Sequence, residues 1–212
     1  MANTITISRF PLLLVIILLL YSASPVARLI SVILLILLIL MDTADGMVAR
    51  HRHEESVLGS VLDIMADRSV ELVLWVVYAH LGLVPVAIPI IFVLRGTIVD
   101  SLRSLHVGDG TAPFKSLRTS AGKWLVASPA MRSTYGAVKL ISFAGLALTH
   151  ALGAYAEVGK ASMGSAQLAG TIFAVTSWIS VAFCLVRGIP VVLEALLLRQ
   201  GVLPAKGPST TP

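Results

Sequence analysis

An all-α bundle of six transmembrane helices is what this sequence predicts, on three grounds. The first is composition: of 212 residues, 57% are apolar and only 13% are charged, about half the charge of an average soluble domain. The second is pattern, since six long apolar stretches recur along the chain, at 10–23, 26–48, 57–79, 81–102, 134–154 and 166–186. Most reach the ~20 residues that a helix needs to cross the hydrocarbon core, and lipid offers no partner to an open strand edge. The third is the placing of Lys and Arg. Arg9, Arg50, Arg52, Arg103, Lys115, Arg118, Lys123, Arg132, Arg187, Arg199 and Lys206 fall in one set of termini and connections, and only Arg28 and Lys160 in the opposite set. That asymmetry puts both termini and the 103–133 loop in the cytoplasm of a multi-pass protein of the cell (inner) membrane.

The first stretch is the shortest. Its core, Pro11 to Leu20, lies between Arg9 and the small residues Ser22 to Ser24, an arrangement shared with signal peptides; the weakly charged start favours a span. Ser22-Ala23-Ser24-Pro25 separates it from the second stretch, and His80-Leu81-Gly82 with Pro85 separates the third from the fourth. The second and third meet at a short polar turn, His51 to Ser56. A polar, basic loop over 103–133 precedes the fifth. After the sixth, the apolar segment 189–198 carries Glu194 and reads as an amphipathic surface helix. Gly201 to Pro212 is rich in Gly, Pro, Ser and Thr and reads as a disordered cytoplasmic tail, which leaves residues 1–200 as one membrane domain.

A net charge of +5 fits cytoplasmic loops that face anionic lipid and phosphate-bearing substrates. No basic and aromatic stripe of the nucleic-acid kind is present. The single cysteine, Cys184, excludes an internal disulfide.

The chemistry is carried around the His51–Ser56 turn. Asp42 and Asp45 precede it, and Asp63 and Asp67 follow it. Residues three or four apart share a helix face, so each pair projects together. Two antiparallel helices joined by a short turn bring both pairs to similar depth at their cytoplasmic ends, which is where the active site is expected. Four carboxylates at one place repel one another and need a cation. Hard oxygen donors suit Mg²⁺ or Mn²⁺, and two such ions would balance four negative charges. Gly46, Ala49 and Gly59 leave room for close helix approach and for a ligand against the backbone. Arg50 at the membrane boundary suits a phosphate.

As one string these residues are Asp42-x2-Asp45-Gly46-x2-Ala49-Arg50-x8-Gly59-x3-Asp63-x3-Asp67. The string resembles the signature of the CDP-alcohol phosphotransferase family at every fixed position. Asn3-x2-Thr6-x2-Arg9 resembles the amino-terminal pattern of its phospholipid-synthesising members. The resemblance implies transfer of a phosphatidyl group from CDP-diacylglycerol to a hydroxyl acceptor, with release of CMP. It implies two metal ions on Asp42, Asp45, Asp63 and Asp67, with Asp67 also the base that deprotonates the acceptor. It further implies CDP-lipid contacts from Thr6, Arg9, Gly46, Ala49, Arg50, Ser56 and Gly59, and a homodimer in the membrane.

Arg95 lies within an apolar run, so it must face the bundle interior or water. Arg103 is eight residues on, about 80° around the helix. Such a pair suits an acceptor that bears a phosphate. Arg95-x7-Arg103 followed by Gly122-Lys123 resembles the acceptor half of phosphatidylglycerophosphate synthases, although Gly96 stands where those enzymes carry a glutamate and Leu125 where they carry a second lysine. Glycerol 3-phosphate is the acceptor this favours, with inositol phosphate or another alcohol as the alternative. Intramembrane aspartates also occur in cation and proton transporters, but no inverted repeat with paired broken helices is visible. His51 and His53 read as a solvated basic turn, and Trp75, Trp124 and Trp178 as interfacial or packing aromatics.

Overall fold

The computed structural model describes the backbone of residues 2–51, 57–107 and 128–199, and the side chains of 6–41, 59, 61–102 and 128–193. Within them the chain forms helices and no strand: α1 (Ala2–Leu20), α2 (Pro25–His51), α3 (Val57–His80), α4 (Ala87–Val107), α5 (Pro129–Glu157) and α6 (Met163–Arg199). Two helical segments, Pro129–Glu157 and Met163–Leu193, are long and apolar enough to cross a membrane. Among the residues whose side chains are described, the apolar parts of α1 and α2 are Thr6–Leu20 and Pro25–Met41. The 201–212 tail lies outside the described residues.

The helix ends follow local chemistry. Ser24 caps α2, its Oγ accepting from the Ala27 amide at 3.4 Å, with Pro25 as the first helical residue. Ser128 and Pro129 begin α5 in the same way. Gly82 ends α3 and Gly159 ends α5, each at a φ near +70°. The Leu83 amide then reaches back to the Tyr78 carbonyl and the Lys160 amide to that of Tyr155, both at 2.9 Å, a closure that needs a left-handed residue.

Three boundaries differ from the sequence reading. α1 begins at Ala2 rather than near residue 10, and Arg9, within the added turns, is buried against Asp63 and Asp67, contacts that hydropathy does not register. α4 begins at Ala87, since Gly82 and Pro85 hold 81–86 out of the helix. Segment 189–198, expected as a separate surface helix, is the continuation of α6 through Pro190. A proline removes one backbone donor from a helix interior, and neighbouring turns keep this one continuous.

The chain divides into two compact units, one from residues up to Ile90 with Ala137–Ser180, the other from Ile91–Gly136 with the chain from Val181 onward. In the first, α1 packs against α2 and α3. Ile16, Leu20, Leu35, Leu38, Leu74, Trp75 and Tyr78 are fully buried. Trp75 meets the Phe143 ring with centroids 4.6 Å apart, so it serves packing, whereas Trp178 is exposed. The Tyr78 hydroxyl donates to the Phe143 carbonyl at 2.8 Å, which satisfies a polar group that burial would otherwise penalise. At Gly145 a β-carbon would overlap the Phe173 ring, so α5 and α6 meet there at glycine distance. The second unit joins α4 to α6 through Arg95, and α5 to α6 through the stacked rings of Tyr135 and Phe183, 6.3 Å apart.

Candidate functional site

α3 carries Asp63 and Asp67 one turn apart, with half-buried Gly59 a turn before them. Both carboxylates are about half exposed, 50% and 52%. Against them lies Arg9 of α1, itself only 2% exposed, with Nη1 3.7 Å from Asp63 Oδ1 and Nη2 4.0 Å from Asp67 Oδ1. These separations are ion-pair contacts rather than hydrogen bonds. Thr6, one turn earlier on the same face of α1, is also buried. Packing of α1 on α3 thus brings Arg9 to the aspartates, although more than fifty residues separate them in sequence.

The arrangement has a clear electrostatic sense. Two carboxylates one turn apart destabilise each other when ionised, and a guanidinium between them relieves the repulsion. Arg9 therefore supplies a cation where the sequence reading called only for metal. Both carboxylates are half exposed, and hard oxygens of this kind suit a divalent ion.

Asp42, Asp45, Gly46, Ala49 and Arg50 belong to the carboxy-terminal turns of α2, but their side chains lie outside the described residues, as does Ser56. Among the described residues no three His, Cys, Asp or Glu side chains gather into a metal group. Arg103 belongs to the last turns of α4, its side chain outside the described residues, and Lys123 lies outside them altogether.

One turn beyond Asp67, α3 presents Glu71, a buried carboxylate that the sequence reading passed over. Its two oxygens meet Lys139 of α5 at 3.3 Å and Arg68 at 3.5 Å. An acid within an apolar run, four residues past Asp67, was the signal available in the sequence.

In the other unit, Arg95 is half-buried on α4, and its Nε donates to the Cys184 carbonyl of α6 at 3.1 Å. Among the described residues, Arg95 has no carboxylate partner. It borders a cavity of about 400 Å³ whose other walls, including Leu94, Ile98, Leu185 and Ile189, are aliphatic. Nearby on α6, the Arg187 guanidinium lies over the Tyr135 ring, 5.2 Å from its centroid.

No curated protein matches the chain. A family model does, that of the CDP-alcohol phosphatidyltransferases, over residues 1–158 of the 212. The match takes in α1, the aspartate string across α2 and α3, α4 and all of α5. With Arg9 set against the α3 aspartates, and the family model running across the same elements, the chain belongs to the CDP-alcohol phosphatidyltransferase family, transferases that move a phosphatidyl group from a CDP-alcohol to an acceptor.

Proposed function

We propose that the protein transfers the phosphatidyl group of CDP-diacylglycerol to glycerol 3-phosphate and releases CMP. The observation that carries this reading is the convergence of buried Arg9 on Asp63 and Asp67, which joins the amino-terminal pattern to the aspartate string in one place. Transferase membership leaves no place for the transporter reading of those aspartates.

The donor set fits divalent metal. Asp63 and Asp67 offer hard oxygens one turn apart with open sides, and with Asp42 and Asp45 they would hold two Mg²⁺ or Mn²⁺ ions. Ions so held polarise the pyrophosphate and neutralise charge on the leaving CMP. The residues of the chain do the rest. Asp67 accepts the proton of the acceptor hydroxyl as its oxygen bonds to the phosphatidyl phosphorus and the bond to the CMP oxygen breaks. Arg9 and Thr6 hold the lipid-side phosphate, and Gly46, Ala49, Arg50, Ser56 and Gly59 hold the cytidine diphosphate portion. Such transfer depends on positioning and on charge stabilisation.

The acceptor is assigned to Arg95, Arg103 and Lys123. The support is that Arg95, half-buried in aliphatic surroundings, meets a backbone carbonyl rather than a carboxylate. A guanidinium kept within an apolar span in this state suits an anionic ligand. The architecture that accompanies this reading is one membrane domain over 1–200 with six crossings, cytoplasmic termini, an active site at the cytoplasmic ends of α2 and α3, and a homodimer in the cell membrane.

The test is to incubate the purified protein with CDP-diacylglycerol and Mg²⁺ and a panel of acceptors: glycerol 3-phosphate, inositol phosphate, inositol and serine. CMP release with phosphatidylglycerophosphate as product is expected. A product formed only from an unphosphorylated alcohol would overturn the acceptor assignment while leaving the chemistry in place.

A further inference from the structure

Arg95 does not hang freely in its groove. Its Nε is held by the Cys184 carbonyl at 3.1 Å, and one turn along α6 from Cys184 the buried Gly188 lies directly under the side chain. A β-carbon at Gly188 would stand 2.8 Å from Arg95 Nε and 3.1 Å from its Cγ. The 2.8 Å contact falls on the nitrogen that meets the Cys184 carbonyl, and the 3.1 Å contact with Cγ asks a further shift of the stem, so relieving both disturbs the Cys184 contact.

We infer that Gly188 is a positioning residue for acceptor binding: its missing side chain is the notch that lets Arg95 lie across α6 and present its terminal nitrogens to a phosphate. The inference rests on the acceptor reading of Arg95. Holding Nε on a carbonyl fixes the plane of the guanidinium and leaves Nη1 and Nη2 as a two-pronged donor, the geometry that suits phosphate oxygens. The aliphatic walls of the groove, Ile91, Leu94, Ile98, Leu185, Ile189 and Leu193, offer the guanidinium no competing acceptor. A side chain ordered before the ligand arrives loses less freedom on binding. Glycine is otherwise a poor choice inside a helix, where alanine is favoured. A glycine with no such task would therefore be replaced by alanine with neutral or stabilising effect.

The experiment is a double-mutant cycle of Gly188→Ala and Arg95→Ala in the full-length protein, with the KM for glycerol 3-phosphate, the KM for CDP-diacylglycerol and kcat measured separately. Gly188→Ala should raise the acceptor KM about 2- to 10-fold, with little change in the other two. In the Arg95→Ala background the same substitution should change nothing further, because no side chain remains to be displaced. Additive effects, or an unaltered acceptor KM in Gly188→Ala where Arg95→Ala raises it, would overturn the positioning role and leave the acceptor reading standing. An unaltered acceptor KM in Arg95→Ala would remove that reading, and this inference with it. If Gly188→Ala fails to accumulate, accumulation of the double variant supports the clash with Arg95, and its failure overturns it.

Discussion

Arg9 and Asp63 face each other across α1 and α3 with 3.7 Å between guanidinium and carboxylate, one almost fully buried and the other half open. In the proposed site a divalent ion would meet the exposed part of Asp63 while Arg9 stays in place. Arg9 would then repel that metal and attract a phosphate brought with it. Arg9→Ala should accordingly lower the Mg²⁺ concentration for half-maximal activity, by up to ~5-fold for a contact with partly exposed carboxylates. It should raise the KM for CDP-diacylglycerol by ~10-fold or more. A metal titration and a lipid titration on one preparation measure both, and a fall in metal affinity would remove Arg9 from its place as the alternative cation.

Chelation should abolish CMP release, and Mg²⁺ or Mn²⁺ should restore it, because in the proposed site the four carboxylates would need divalent charge to hold pyrophosphate. Full CMP release in excess chelator would end the two-metal mechanism.

Asp67→Asn keeps the shape of the side chain and removes its capacity to accept a proton. Turnover should fall by at least ~10²-fold, while CDP-lipid binding suffers less than in Asp42→Ala. Pre-steady-state CMP release with and without acceptor separates the two effects; near-normal turnover would assign the base elsewhere.

Arg95→Ala should raise the acceptor KM by roughly 10- to 100-fold, the loss of one charge-assisted contact. Arg95→Lys should recover only part of that, since an ammonium has no planar fork. Initial rates against acceptor concentration at saturating CDP-lipid report it.

Glu71 and Lys139 form a buried pair between α3 and α5, and Arg68 stays beside Glu71 when Lys139 is removed. Lys139→Met should lower thermal stability by no more than the ~3–5 kcal/mol typical of a broken buried pair. The double replacement Glu71→Met/Lys139→Met should recover much of the loss, as apolar substitutes for buried pairs often do. Thermal unfolding in detergent decides it, and equal losses in the two variants would show that the charges do not act as a pair.

Helix content was legible because apolar run length and turn residues are local: Ser24-Pro25, Gly82 and Gly159 act within a few residues of themselves. The shared face of Asp63 and Asp67 followed from their spacing alone. What stayed hidden was tertiary. Nothing near Arg9 in sequence indicates that α1 delivers it to α3. The partner of Arg95 is a backbone carbonyl, which leaves no mark in residue identity, so nothing in the sequence named it. Glu71 was readable from its position in an apolar run, but its partner on α5 was not. The side chains of Asp42 and Asp45, Arg50 and Arg103 lie outside what the structure describes, and their convergence remains a matter of pattern and family.

α6 is longer than a membrane is thick. Its 37 residues extend about 55 Å at 1.5 Å per residue, against ~30 Å of hydrocarbon. Even at a tilt of ~40°, the upper end of what spanning helices adopt, its vertical reach is about 42 Å by the same rise per residue. In the proposed six-crossing architecture, a stretch of α6 would therefore stand in the headgroup layer or beyond it. Bilayer thickness would then bear on the acceptor reading as well, since Cys184 and Gly188, with the guanidinium laid across their turn, belong to the same helix.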